Sequence, residues 1–420
     1  MKKLSAILLG HGMRGEAYAK YCINHPDELE IKAVAEPEVS RRKKAITAYN
    51  IPENMAFESW EQLVRLPKLA DFAIIATQDK MHIEPALKLI EKGYNLLLEK
   101  PMAPTAKECK EITEAAEKKG VKVIVCHVLR FTKFWYTLKE ILDSGRIGKP
   151  LSIIHTEGVE HMHQSHSFVR GNWRNSKESA PMILAKSCHD MDILQWLLGK
   201  ECKKVQSFGN RDYFNAENRP NGAPERCADN CPYADTCTYE PVRFYTRPEG
   251  NPWRDVVANH VGASNEDIIN ALKTGPYGRC VFACDNDVVD HQTVNLLFDG
   301  GCTAVFTMTA FTNGRYIRIF GTEGEIDASM EDNTIKILTF NDNKTEVIEL
   351  EQIDQTISAG HGGGDTGIMV DTLKHFSGKT PSKSICDVRT SYLNHLMAFA
   401  AEESRLTDTV IDLKCFSEKI

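Results

Sequence analysis

No run of apolar residues in this 420-residue chain approaches the roughly 20 that a bilayer-spanning helix needs, so nothing argues for a membrane protein or a membrane partner. An excess of basic charge is missing too. Lys and Arg total 51 against 58 for Asp and Glu, a formal net charge of -7, which leaves no electrostatic footprint for nucleic acid. Small molecules are the expected partners. The start imitates a secretory signal only faintly: the apolar run Leu4 to Leu9 is short, His11 and Arg14 break its continuation, and no small-residue cleavage site comes after it. It reads as a first strand, and the chain as cytoplasmic. A disulfide framework is excluded as well, because 13 cysteines are an odd number spread over a long chain. They are expected as reduced thiols, with Cys22, Cys126, Cys188 and Cys302 packed among apolar neighbours. What is present is apolar substance: 42% hydrophobic residues over this length can build at least two cores, since single cores stop growing near ~250 to 300 residues.

The first run ends in Gly10-His11-Gly12-Met13-Arg14-Gly15, with a helical pattern from Glu16 onward. In that order Gly10 makes a tight turn, Gly12 lets the backbone approach a pyrophosphate, and Gly15 lets helix and strand pack, with helix N–H groups facing the phosphates. Alone, such a motif is weak evidence. A second strand predicted at 30–36 ends in Glu36, roughly 20 positions beyond Gly15, where a carboxylate accepts adenosine ribose hydroxyls. It would repel a 2′-phosphate and so favours NAD over NADP, although Arg41 and Arg42 keep NADP open. Further strands at 71–77, 94–98 and 121–126 alternate with helices at 39–49, 60–66, 83–92 and 105–119, which predicts a doubly wound parallel sheet.

Ala76-Thr77-Gln78 with His82, then Leu98-Glu99-Lys100-Pro101, set behind such a loop, resemble the glucose-fructose oxidoreductase, inositol dehydrogenase and MocA (Gfo/Idh/MocA) family. The Glu-Lys-Pro triplet is the most specific of these marks. The resemblance implies an α/β N-terminal Rossmann domain (1–130) and an α+β C-terminal substrate domain (131–420) with a large open, mainly antiparallel sheet. It implies NAD held by Gly10, Gly12, Met13, Arg14, Gly15, Glu36, Ala76, Thr77, His82, Glu99 and Lys100, and hydride transfer at a hydroxyl of a sugar, cyclitol or glycoside. Lys100 would stand between nicotinamide and the reacting hydroxyl, with His189 as the second acid-base group. Many relatives carry an aspartate four positions before that histidine; here it is Ala185, which leaves Lys186 or a histidine-loop residue to orient the chemistry. A homodimer or homotetramer paired through the C-terminal sheet is also implied.

After a strand predicted from Pro150 come His161, His163, His166, Arg170 and Trp173. A solvated loop, a substrate loop rich in donors, and metal ligation all remain open, though this histidine spacing matches no standard zinc arrangement. His189 and Asp192 are three apart and share a helix face, above a buried stripe of Ile193, Trp196 and Leu197. His361-Gly362-Gly363-Gly364-Asp365 permits close backbone approach to a substrate, or is a connector capped by Asp365. An irregular insertion at about 213–284, with one clear helix at 266–273, holds Cys227, Cys231 and Cys237. These are either packed free thiols or ligands of a structural zinc or other metal, completed by Cys280, Cys284 or a histidine. Runs at 287–298, 302–310, 315–320, 324–328, 334–339 and 345–350, joined by Gly- and Asn-rich turns, predict a meander of consecutive antiparallel strands. Two other functions stay in play: a glycosidase that retains NAD and works by transient oxidation and elimination, and a cofactor-loaded non-enzymatic sensor, against which Lys100 and His189 both speak.

Overall fold

Short apolar runs form the centre of the N-terminal half. In the computed structural model, which describes residues 3–247, 251, 253–351 and 361–420, they become β1 (Leu4–Leu9), β2 (Leu29–Ala35), β3 (Ala56–Phe57), β4 (Phe72–Ile75), β5 (Asn95–Leu98) and β6 (Val123–Val125). All six lie parallel in the order β3-β2-β1-β4-β5-β6. β4 is buried at every position, as a strand covered on both faces must be. The covering helices are α1 (Met13–Ala19), α2 (Val39–Tyr49), α3 (Trp60–Arg65), α4 (Ile83–Glu91) and α5 (Ala106–Lys119). Thr105 and Glu108 form a capping box at the start of α5, and Gly120 closes it in the left-handed region. The strand order reverses between β1 and β4, the switch point where open α/β sheets bind ligands.

The second sheet has nine strands: β7 (Pro150–Val159), β8 (Cys202–Asn210), β9 (His291–Phe298), β10 (Thr303–Thr309), β11 (Asn313–Gly321), β12 (Gly324–Ser329), β13 (Thr334–Thr339), β14 (Lys344–Glu349) and β15 (Ile411–Asp412). Their order is β14-β13-β12-β11-β7-β10-β9-β8-β15, antiparallel throughout except where β7 runs parallel to β10. This corrects the expected consecutive meander. β7, made much earlier in the chain, is inserted between β10 and β11 and pairs with both, which local turn signals do not reveal. One face of the sheet is packed against α6 (Lys133–Asp143), α7 (Met182–Ala185) and α8 (Cys188–Leu198), whose apolar side chains share a core with Ile153, Leu296 and Phe306.

Two late helices return across the molecule. α9 (Gly364–Phe376) buries Ile368, Met369 and Leu373 in the same cluster as Leu8, Val34 and Ile74 of the first sheet. α10 (Val388–Thr407) packs on both α5 and β8. The insertion holds short helices Pro241–Tyr245 and Arg254–Ala258 beside the expected one, Asn265–Thr274, with one small core of its own and a second shared with Val169 and Ala310. No helix among the described residues is long and apolar enough to cross a membrane.

Candidate active site

The glycine loop is built as its spacing requires. Gly10 has φ +86°, and a Cβ there would lie 2.5 Å from the Ala76 carbonyl oxygen, while one on Gly15 would collide with the carbonyl of Gly10. A Cβ on Gly12 would meet nothing within 4 Å, so an open cradle lies at that point, as a pyrophosphate needs. His11 fixes the loop from behind: Nδ1 lies 2.9 Å from the Arg41 carbonyl and Nε2 3.0 Å from the Tyr49 hydroxyl. Its backbone N–H donates to Glu36 at 2.6 Å, and Glu38 N–H donates to the other Glu36 oxygen at 3.0 Å. Glu36 is thereby held at the end of β2, against the loop. The open cradle and this fixed carboxylate together fit NAD.

Arg14 and Glu99, both expected to touch the cofactor, line a cavity between the two domains and are tied to each other, with Arg14 also bonded to Asp365 and Tyr18. Arg14 pairs with Glu99 at 2.8 Å and Asp365 at 2.7 Å and donates to the Tyr18 hydroxyl at 2.5 Å. Burial opposes the guanidinium charge, but Tyr18, Glu99 and Asp365 hold it ionised. Asp365 is thus a lock between α9 and the glycine loop and stands off the cavity, whereas His361, 3.2 Å from it, lines the cavity.

That cavity, about 630 Å³, opens between the two domains at the carboxyl ends of β4 and β5. Met13, Ala76, Thr77 and Lys100 line it from the first domain, and His163, Trp173, Lys186 and His189 from the second. The Lys100 ammonium donates to the Ala185 carbonyl at 3.2 Å, so the backbone supplies an acceptor at the position where the family resemblance leads one to expect an aspartate. His189 is 8% exposed and its Nδ1 has no hydrogen-bond partner. Burial, then the charges of Lys100, His127 and Arg315, push its pKa well below 6.5, so it is a neutral base at neutral pH. Lys186 stands 3.5 Å from Glu157; burial lowers its pKa while Glu157 pulls the other way.

Beneath these groups lies a charged network that sequence reasoning missed. Arg315 donates through Nε to Asp190 at 2.8 Å and through Nη2 to Glu157; His155 lies 2.8 Å from Asp190, and Ser187 donates to Glu157 at 2.8 Å. Burial opposes the Arg315 charge, and Asp190 and Glu157 sustain it. Arg315 and Glu157 are direct partners across β11 and β7, in inward rows that also hold His155 and Val159 on β7 and Ile317 and Ile319 on β11; the sequence marks neither, because that register is set only by the pairing of the two strands.

Other expected site residues do not reach the cavity. His82 is buried between the Pro101 and Thr77 carbonyls at 2.9 and 3.1 Å, joining two strand-end loops. Asp192 is not a substrate residue by position: it is 1% exposed and clamped by Arg130 at 2.6 and 2.8 Å and by Asn394 at 2.7 Å. His161 pairs with Glu160 at 2.6 Å, and His166 is stacked between Trp253 and Tyr277 at 4.4 and 4.7 Å. Arg170 is buried, donating to the Arg279 and Tyr239 carbonyls. The segment is wound, not an open loop: His161–His163 forms a short α-turn and Gln164–Arg170 a π-helix, which leaves His163 at the cavity and His166 in the ring stack. Trp173 does reach the cavity, its indole N–H donating to Asp79 at 3.0 Å across the domain boundary. Among the described residues, His127, Asp192 and Cys386 bring possible ligand atoms within 4.8 Å of one another, but the Arg130 guanidinium on Asp192 already holds the place of a cation.

Comparison with known proteins identifies the family. A family model described as "Oxidoreductase family, NAD-binding Rossmann fold" matches residues 4–127, and its companion, "Oxidoreductase family, C-terminal alpha/beta domain", matches residues 139–405. YteT of Bacillus subtilis (strain 168) is 26% identical over 352 residues, 81% of this chain and 79% of that protein. Inositol 2-dehydrogenase of Salmonella typhimurium (strain LT2) is 27% identical over 206 residues, 49% of this chain and 57% of the enzyme. The structure of levoglucosan dehydrogenase in complex with NADH and levoglucosan superposes with a TM-score of 0.71 at 18% identity, covering 98% of this chain and 99% of that one. With both family models matched in order over nearly its whole length, the chain belongs to the glucose-fructose oxidoreductase, inositol dehydrogenase and MocA family of NAD-binding oxidoreductases.

Proposed function

We propose that this enzyme oxidises a secondary hydroxyl of a sugar, cyclitol or glycoside, and that Lys100 and His189 manage the proton. NAD, when held by the glycine loop and Glu36, supplies the hydride acceptor. The observation that carries the reading is the placement of a lysine ammonium and a neutral histidine in one cavity at the sheet switch point, the ammonium hydrogen-bonded to Ala185 four residues before the histidine. As the carbinol C–H bond breaks, the O–H proton goes to His189, and Lys100, held by the Ala185 carbonyl, stabilises the negative charge developing on oxygen. Lys186 and Arg315, both lining the cavity, add donors for the neighbouring hydroxyls of a polyol, and the Trp173 ring offers an apolar face for a sugar ring. The names of the relatives support the substrate class, since inositol and levoglucosan are both polyhydroxylated rings.

The purified chain, given NAD and a panel of sugars, cyclitols and glycosides, is expected to form NADH with at least one of them. Lys100→Met and His189→Ala should each lower kcat by about 10²- to 10⁴-fold, and His189→Ala should leave NAD affinity unchanged. Full turnover in both variants contradicts the assignment. Cleavage of a glycoside with no net NADH would replace simple oxidation by a redox-neutral elimination at the same site.

A further inference from the structure

The insertion contains a thiol cluster that the redox site does not use. Cys227, Cys231, Cys237 and Cys280 line a single small void of about 30 Å³, and none is in a disulfide. The backbone brings the distant member in. Cys227 N–H donates to the Gly278 carbonyl at 3.0 Å and Cys280 N–H to the Glu225 carbonyl at 2.8 Å, around a bridge between Arg226 and Arg279. Cys231 and Cys237 are carried on tight turns, Ala234 N–H donating to the Cys231 carbonyl at 3.2 Å and Cys237 N–H to the Tyr233 carbonyl at 2.8 Å. Cys284 turns its thiol to the Cys280 carbonyl at 3.3 Å instead and does not line the void.

A cation stands at the wall. Arg170 is 1% exposed, its Nη2 lies 3.9 Å from the Cys227 sulfur, and the Nη1 of the same guanidinium has no hydrogen-bond partner. A buried guanidinium left short of acceptors is costly. Thiolates in the void would supply the missing negative charge.

We propose that Cys227, Cys231, Cys237 and Cys280 ligate a thiophilic metal centre, and that this centre is an iron–sulfur cluster. The sulfur spacing favours the cluster over a single zinc. With Zn–S near 2.3 Å, the sulfurs of a tetrahedral zinc site lie about 3.8 Å apart. Here no three of these sulfurs fall within 4.8 Å of one another. Four cysteines spread around a common void match the four-thiolate set that iron–sulfur clusters take. Its work in the fold is mechanical. The centre ties the loop 227–237 to residue 280 and, through Arg170, to the segment that carries His163 and Trp173 into the active cavity. A long insertion with little regular structure gains support beyond that of its small cores.

The test is metal analysis of the full chain purified under argon, and again after reconstitution with ferrous iron and sulfide. Iron and acid-labile sulfide should appear in near-equal amounts, about 2 to 4 of each per chain, with visible charge-transfer absorbance. Cys231→Ser and Cys237→Ser should lose both, and Cys284→Ser should keep both. Since a ligand variant can fail to fold, oxidative stripping of the wild-type chain gives a second measurement: the colour is lost and the thermal midpoint falls while NAD still binds. One zinc per chain without sulfide sustains the four-thiolate centre and overturns the cluster. No metal under either condition, or metal kept in both ligand variants, overturns the centre.

Discussion

Arg14 sits between Glu99 at 2.8 Å and Asp365 at 2.7 Å, in a place where burial alone would favour neutral groups. Burial does raise both acids, but Arg14 and Lys100 hold Glu99 below its ordinary value, and His361 and Arg14 hold Asp365 down. Acids depressed in the folded state contribute stability that is fully present above the unfolded carboxylate range and is lost as pH falls through the folded values. Urea unfolding of the wild type should therefore weaken steeply below about pH 4, and Arg14→Met should lose about 3 to 5 kcal/mol at neutral pH while flattening that acid dependence. His189 makes a second prediction. Because its pKa lies well below 6.5, the acid limb of kcat/KM for hydroxyl oxidation should also lie well below pH 6.5, and a limb at or above that value would count against His189 as the base. At this scale the glycines were legible because sterics admits little else at Gly10 and Gly15. Arg315 was not, because its role depends on standing opposite Glu157, and that register exists only once β7 has been inserted beside β11.

Secondary-structure elements set which side chains meet. The strand-to-helix turn before α1 leaves no room for a side chain at its third glycine, so Gly15→Ala should push helix and strand apart and weaken NAD binding about tenfold or more, read by cofactor titration. The link from Trp173 to Asp79 joins a loop of the second domain to the end of β4 in the first. Trp173→Phe keeps a ring but deletes that bond; about 1 kcal/mol, or roughly fivefold, should be lost from kcat/KM for the sugar with NAD affinity unchanged. The elements of the first sheet could be read from alternation of strand and helix patterns. The histidine segment could not, because its polar residues read as a loop whereas Gln164–Arg170 winds as a π-helix.

At the scale of the whole molecule, among the described residues one face of the nine-stranded sheet exposes apolar side chains, with Ile154, Val305, Phe208 and Tyr316 49, 36, 53 and 38% exposed. We propose that this apolar surface pairs subunits. Sedimentation should find an oligomer in the wild type and a monomer in the double variant Ile154→Lys, Val305→Lys; a wild type that sediments as a monomer would refute pairing through this face. The presence of two sheets was visible in the sequence. The late return of α9 to the first of them was not, since a helix of mixed pattern does not announce which core it fills. That return bears on how the protein is made. A ribosome releases the glycine loop early, yet the helix that covers its sheet, and the carboxylate that pairs with Arg14, emerge only after residue 364. The nascent chain must therefore carry an unfinished nucleotide-binding half, with apolar surface waiting for its last piece, through most of synthesis.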